Sequence, residues 1–185
     1  MNKPRLLIVE DEAIVASDLE IHLVQLGYEV AGTAASGKQA LALAEQVRPD
    51  LVLMDIRLQG AMDGIEAARE VRTRLRLPVV FLTAYAEGAT LQCAKLVEPF
   101  GYILKPFEDR ELHTAIEMAL YKHQAERKLQ ESDEWHRAIL QTAMDGFWLV
   151  DTQGRLLEVN ETYCRMSGSS AQELLAMRIS DIEAS

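Results

Sequence analysis

Five short apolar runs, separated by segments of helical periodicity, fill the first two thirds of this 185-residue chain. The runs are Leu6–Val9, Val30–Ala34, Leu51–Met54, Val79–Leu82 and Tyr102–Leu104. Short, nearly continuous apolar runs are typical of strands that are buried on both faces of a parallel sheet. With right-handed crossovers, the pattern predicts an α/β fold built on a doubly wound, five-stranded parallel sheet.

The segments between the runs carry recognisable helix boundaries. A predicted helix from Ala13 to Leu26 stops at Gly27, and Ser36 can cap a second helix that Pro49 terminates. The remaining helices are predicted over residues 65–75 and 90–97 and from about residue 108 onward. Five strands therefore alternate with five helices.

The charge and composition exclude several classes of function. Lys and Arg number 19 against 29 Asp and Glu, so the formal net charge of −10 disfavours nucleic acid or an anionic membrane as a partner. No apolar run approaches the ~20 residues of a membrane span, and acidic residues begin at Glu10, too early for a signal-peptide core. Cys93 and Cys164 lack the spacing of a disulfide framework or a zinc site. We expect a cytoplasmic protein.

Polar side chains with complementary chemistry stand at the ends of four predicted strands: Glu10, Asp11, Asp55, Thr83 and Lys105. The carboxyl ends of parallel strands meet at one edge of a sheet, where ligands of such folds bind. Three carboxylates favour a hard cation such as Mg²⁺, while a hydroxyl and an ammonium can hold phosphoryl oxygens. Each residue alone could be a helix cap or a solvated side chain, but together they indicate phosphoryl transfer onto a carboxylate.

The motifs around these residues resemble a known family. They are Leu7–Glu12, Leu53–Ile56, Met62–Gly64, Phe81–Ala84 and Gly101–Phe107. In order and spacing they resemble the response-regulator receiver domain of two-component signalling, over about residues 4–122. The resemblance implies a flavodoxin-like sheet with strand order 2-1-3-4-5. It also implies a phosphorelay switch that receives its phosphoryl group from a histidine kinase or a phosphotransfer protein.

The resemblance assigns the acceptor and the metal ligands. Asp55 would accept the phosphoryl group in a Mg²⁺-dependent reaction. Glu10 and Asp11 would hold the Mg²⁺ together with Asp55 and the backbone carbonyl of Arg57.

Other positions of the family pattern would bind or regulate the phosphoryl group. Thr83 and Lys105 would bind its oxygens, and Tyr102 matches an aromatic residue that turns inward when Thr83 moves. Lys105–Pro106 matches the family's cis peptide. Arg57 and Tyr85 take positions that influence how water reaches the acyl phosphate, although both could equally be exposed loop residues.

The last third of the chain has a different pattern. Residues 109–140 contain neither Gly nor Pro and predict one long helix, and residues 147–159 predict a β-hairpin. The hairpin and the capping-box sequence Ser170–Glu173 resemble the first half of a PAS sensory domain, a partial α+β segment. We therefore expect a receiver domain at 4–122, a helical linker at 123–143 and a truncated PAS domain at 144–185, with no stand-alone catalytic domain. The whole would belong to a larger sensor, such as a hybrid histidine kinase or a cyclic-nucleotide enzyme.

The long helix also carries a spacing that favours self-association. Steps of three and four residues connect Met118, Tyr121, Ala125, Lys128, Ser132, Trp135 and Ile139. This is the spacing of a coiled-coil seam, although Lys128 and Ser132 interrupt its apolar character. The seam favours a homodimer, and a single helix with a partly solvated face is the alternative.

Two other functional classes share part of this pattern. A haloacid-dehalogenase-like phosphatase also forms an aspartyl phosphate, but it needs a second carboxylate two residues after the nucleophile, where this chain has Arg57. A flavodoxin-like electron carrier needs a phosphate-binding loop after the first strand, where Glu10–Glu12 would repel a flavin phosphate. The receiver interpretation accounts for all the strand ends.

Overall fold

The computed structural model describes residues 3–84, 99–142 and 145–182, which fall into two compact units, Met1–Glu126 and Arg127–Ser185. The helix predicted over residues 90–97, together with Tyr85 and Cys93, lies outside the described residues. Among the residues that are described, no helix is long and apolar enough to cross a membrane.

The first unit contains a five-stranded, fully parallel sheet. Its strands are β1 (Arg5–Val9), β2 (Glu29–Ala34), β3 (Leu51–Asp55), β4 (Val79–Thr83) and β5 (Gly101–Leu104). Their order across the sheet is β2-β1-β3-β4-β5. The predicted doubly wound fold and its strand order are therefore confirmed.

The helices begin and end close to the predicted positions. They are α1 (Ala13–Gln25), α2 (Gly37–Val47), α3 (Gly64–Leu75) and α4 (Asp109–Thr142). The Ser36 hydroxyl accepts a hydrogen bond from the Gln39 amide at the start of α2, as a cap residue does. Gly27 follows α1 with a φ of 94°, a conformation that glycine adopts without steric cost. The long helix expected after residue 108 is present as α4.

Apolar side chains alternate between the two faces of the sheet and form a core on each. Leu7 and Val9 pack with α2 and α3 on one face, while Leu6 and Ile8 pack with α1 and α4 on the other. This alternation follows from the two-residue repeat of a strand. Full burial of each such side chain contributes roughly 1.5–3 kcal/mol. The two cores hold all five strands in register, which brings their carboxyl ends to a common edge.

The second unit contains the predicted antiparallel hairpin, β6 (Trp148–Val150) and β7 (Leu156–Val159). Three short helices follow: α5 (Glu161–Ser167), α6 (Ala171–Leu175) and α7 (Ile179–Ile182). The buried Asn160 joins the hairpin to α5, because its Oδ1 accepts hydrogen bonds of 2.9 Å from the amides of Phe147 and Tyr163. Ser170 and Glu173 form the capping box that the sequence predicts at α6.

Candidate functional site

Three of the predicted site residues meet at the carboxyl edge of the sheet. Glu10 follows β1, Asp55 ends β3 and Lys105 follows β5. The Nζ atom of Lys105 lies 2.5 Å from Oε2 of Glu10 and 2.5 Å from Oδ2 of Asp55. One ammonium thus bridges two carboxylates that come from separate strands.

The electrostatics of this cluster leave an excess of negative charge. Glu10 is only 2% exposed. Burial raises the pKa of Glu10, and the nearby charge of Asp55 raises it further, against the lowering effect of Lys105. Burial alone would lower the pKa of Lys105, but hydrogen bonds to Asp55 and Glu10 raise it above its usual value. Lys105 therefore stays charged, and two carboxylates share a single cation.

Asp55 is held in place by the loop that follows it and by the start of α3. Its Oδ1 accepts a hydrogen bond of 2.8 Å from the backbone amide of Arg57, whose own side chain is exposed. Gly64, the first residue of α3, approaches so closely that a Cβ atom on it would lie 1.9 Å from the backbone oxygen of Asp55. Only glycine fits there, a role that the sequence motif around Gly64 did not reveal.

Thr83 ends β4 beside Lys105. It is buried, and its backbone oxygen accepts a hydrogen bond of 2.7 Å from the amide of Lys105. The Lys105–Pro106 peptide is cis, as the family resemblance implied. The structure therefore places Thr83 at the same edge as the three charged residues.

Tyr102 points into the core from the middle of β5. Its ring stacks on Phe81 with a centroid distance of 5.9 Å and an interplanar angle of 27°. Its hydroxyl is buried and finds no hydrogen-bond partner within the described parts of the chain. Burial raises the pKa of the phenol, so the hydroxyl remains neutral.

The donor atoms at this edge are of the type that Mg²⁺ prefers. Glu10 and Asp55 supply carboxylate oxygens and already share one cation, Lys105. The Asp11 side chain, next to Glu10, makes no hydrogen bond or ion pair with any described residue. Residues 3–84, 99–142 and 145–182 contain no group of three acidic, His or Cys side chains arranged to hold a metal by themselves. The carboxylate oxygens of Glu10, Asp11 and Asp55 fit Mg²⁺ by their chemistry, and the Lys105 ammonium lies between those of Glu10 and Asp55.

Comparison with known families defines the class of this protein. The family model of the response regulator receiver domain matches residues 6–117, and the chain belongs to that family. A PAS fold model matches residues 136–182. Both resemblances inferred from the sequence motifs are thereby confirmed.

Individual relatives support the assignment and cover parts of the chain. The transcriptional regulatory protein PdtaR of Mycobacterium tuberculosis is 40% identical over 116 residues, which are 63% of this chain and 56% of PdtaR. The regulatory protein AtoC of Escherichia coli is 34% identical over 173 residues, 93% of this chain and 36% of AtoC. This chain thus spans about half of PdtaR and about a third of AtoC.

A solved receiver domain is similar in structure. The signal receiver domain of a modulated diguanylate cyclase from Desulfovibrio desulfuricans aligns with a TM-score of 0.65 and 43% identity. The alignment covers 68% of this chain and 99% of that domain. This chain therefore contains a complete counterpart of that receiver.

Proposed function

We propose that Asp55 accepts a phosphoryl group from a histidine kinase or a phosphotransfer protein, and that the receiver acts as a phosphorelay switch. The observation that carries this proposal is the 2.5 Å contact between Lys105 Nζ and Asp55 Oδ2 at the carboxyl edge of the sheet. An ammonium beside the attacking oxygen can stabilise the negative charge of a phosphoryl group as it is transferred.

The transfer exchanges one bond to phosphorus for another. A carboxylate oxygen of Asp55 forms the new P–O bond while the P–N bond of a phosphohistidine breaks. The electron pair of the broken bond stays on the imidazole nitrogen of the donor, and the product at Asp55 is an acyl phosphate. The ammonium of Lys105 can exchange its contact with the Asp55 carboxylate for one with the phosphoryl oxygens. The Thr83 hydroxyl can donate a hydrogen bond to the same oxygens.

We propose Mg²⁺ as the cofactor of this reaction. Glu10, Asp11, Asp55 and the backbone carbonyl of Arg57 would hold it. When bound, the ion neutralises charge on the carboxylates and on the transferred phosphoryl group. The negative charge that Lys105 leaves uncompensated at Glu10 and Asp55 supports this assignment.

Four residues around the acceptor would modulate the switch. Thr83 and Tyr102 would change position together. The inward Tyr102 ring, whose hydroxyl has no hydrogen-bond partner in the described part of the chain, is compatible with such a change. Arg57 and Tyr85 would control the access of water to the acyl phosphate. The exposed side chain of Arg57 supports a role at the mouth of the site.

Replacing Asp55 by asparagine tests the acceptor directly. We expect acetyl phosphate with Mg²⁺ to add one phosphoryl group to the wild type and none to Asp55→Asn, because an amide cannot form the acyl phosphate. Intact-protein mass spectrometry measures the gain. Asp133→Asn, an exposed position on α4, makes the same chemical change away from the site and should be phosphorylated normally. Equal phosphorylation of the Asp55→Asn variant would rule out Asp55.

We propose that the receiver regulates a larger sensor through α4. The domains would be the receiver at 4–122, a linker at 123–143 and a partial PAS domain at 144–185, within a cytoplasmic hybrid histidine kinase or cyclic-nucleotide enzyme. The similarity to a receiver from a modulated diguanylate cyclase supports the cyclic-nucleotide enzyme. The division of the chain between Glu126 and Arg127 supports a boundary inside the helix.

We further propose that two copies of the chain associate through α4. Four apolar side chains of the predicted seam are exposed: Met118 by 67%, Tyr121 by 74%, Trp135 by 65% and Ile139 by 44%. Beside the seam, α4 carries two intrahelical ion pairs, Lys122–Glu126 and Arg127–Glu131, with N–O distances of 3.9 and 3.0 Å. A second helix packed on the seam would remove these apolar side chains from water.

A charge placed in the seam should separate the two copies. We expect the full chain to be a dimer and Tyr121→Glu to be largely monomeric in light scattering, because the seam cannot bury an unpaired carboxylate. Gln130→Glu adds the same charge on the opposite side of the helix and should leave the dimer intact. A wild-type monomer at high micromolar concentration would contradict the proposed dimer.

A further inference from the structure

Phe100 connects strand β5 to two helices. It directly precedes β5, and Cζ of Arg72 on α3 and Nζ of Lys122 on α4 lie 5.0 and 5.1 Å from its ring centroid. The ring of His123 meets Phe100 edge-on, with a centroid distance of 5.6 Å and an interplanar angle of 81°. Cations at such distances are attracted to an aromatic face. We call Phe100, Arg72, Lys122 and His123 the Phe100 cluster.

The other end of β5 reaches the proposed phosphorylation site. Phe100 and Lys105 are five residues apart, about 16 Å of extended chain. The amide of Phe100 donates to the backbone oxygen of Val79, and the amide of Lys105 donates to that of Thr83. Hydrogen bonds to β4 therefore fasten both ends of this segment. A single short strand, β5, therefore connects the aromatic ring that contacts α4 with the ammonium of the site.

A second set of contacts on α4 involves no residue of β5. The Tyr28 hydroxyl donates a hydrogen bond of 2.8 Å to Glu117 Oε1 and lies 2.8 Å from Nδ1 of His113. His22 on α1 contacts Asp109 at the start of α4. Neither contact involves a residue at the end of β3, β4 or β5. These contacts on α4 therefore bypass β5, whereas the Phe100 cluster joins α4 to the start of β5, next to the packing of Ile103 against the apolar face of α4.

We propose that Phe100 is the positioning residue through which a change at Lys105 alters α4. This inference rests on the proposed function of Asp55. When Lys105 exchanges its contacts with Glu10 and Asp55 for a phosphoryl group, β5 shifts together with the end of β4 relative to α4, and Phe100 shifts with it. The contacts of Lys122 and His123 then change while those of Tyr28 remain, so α4 turns about the Tyr28 attachment.

Hydrogen exchange on the full chain, with and without acetyl phosphate and Mg²⁺, tests this coupling. In the wild type we expect phosphorylation to change the exchange rates of the α4 amides around residues 118–126 by about fivefold, in line with the one exposed cation–π contact that Lys122 makes from α4. In Phe100→Leu, which keeps a smaller apolar side chain and removes the π face, this response should be lost. Mass spectrometry on the same samples should show the full gain of one phosphoryl group.

Two further variants separate the coupling from a general loss of structure. Lys122→Met removes only an ammonium from the surface and should also abolish the response, even if Phe100→Leu does not fold. Arg110→Met makes a similar change on an exposed residue of α4 outside the Phe100 cluster, and this variant should keep the hydrogen-exchange response.

The possible outcomes distinguish this proposal from the one on which it rests. A full exchange response in phosphorylated Phe100→Leu or Lys122→Met would overturn the role of the Phe100 cluster. A phosphorylated wild type without any response in α4 would overturn it as well. A wild type that gains no phosphoryl group would refute the proposed function of Asp55, and the coupling with it.

Discussion

Gly64→Ala should lower the free energy of unfolding of the first unit by about 3 kcal/mol. Alanine normally stabilises a helix by up to about 1 kcal/mol relative to glycine. At this position, however, its Cβ would lie 1.9 Å from the backbone oxygen of Asp55 and 2.9 Å from that of Ile56. The steric conflict outweighs the helix propensity, and α3 must move away from β3. Urea unfolding followed by circular dichroism measures the loss, and phosphorylation by acetyl phosphate should slow because Asp55 is displaced.

Gly101→Ala is the matched control for this substitution. Among the described residues, a Cβ at residue 101 would meet only Val80, at 3.8 Å, an ordinary van der Waals distance. Its stability should therefore stay within about 0.5 kcal/mol of the wild type. If Gly64→Ala were as stable as Gly101→Ala, the close approach of α3 to Asp55 would be wrong.

Lys105→Met should separate metal binding from phosphoryl transfer. Removing the ammonium leaves the carboxylates of the buried Glu10 and the partly buried Asp55 facing each other, so we expect a loss of about 3 kcal/mol in the free energy of unfolding. Mg²⁺ should bind more tightly than in the wild type, because no ammonium competes for the carboxylates, and it should restore part of the lost stability. Phosphorylation should nevertheless be slower by roughly 100-fold, because the phosphoryl oxygens lose a charged partner.

Calorimetry, thermal unfolding and the rate of phosphorylation measure these three effects. Lys38→Met removes an exposed ammonium on α2 and should change none of them. Weaker Mg²⁺ binding in Lys105→Met would show that the lysine supports the cation site. An unchanged phosphorylation rate would remove Lys105 from the chemistry.

The sheet could be predicted from the sequence because its signals are local. Each buried strand is an uninterrupted apolar run such as Leu51–Met54, and helix ends are marked by residues such as Ser36 and Gly27. Strand order follows from the family motifs, which have a fixed spacing in the chain. The close approach of Gly64 to Asp55 could not be predicted in this way, because it depends on how α3 is seated over the end of β3.

The sequence predicts which residues form the site, but it does not predict which of them contact one another. Convergence of Glu10, Asp55 and Lys105 follows from parallel strands that end at one edge. The sequence interpretation assigned Glu10 to a metal and Lys105 to a phosphate, whereas the structure joins the two directly. The contacts between Phe100 and α4 carry no motif at all, since they depend on the approach of residues from separate elements.

The Tyr102 hydroxyl, which is buried and has no hydrogen-bond partner among the described residues, has a consequence for the relative populations of conformations. A buried hydroxyl without a partner costs about 1–3 kcal/mol, which corresponds to a factor of roughly 5–150 in an equilibrium constant. Any conformation in which this hydroxyl reaches water is favoured by that factor over one in which it does not. The buried hydroxyl therefore destabilises the described conformation relative to one in which the hydroxyl is hydrated. The free energy that a phosphoryl group must supply to shift the equilibrium is smaller by the same amount.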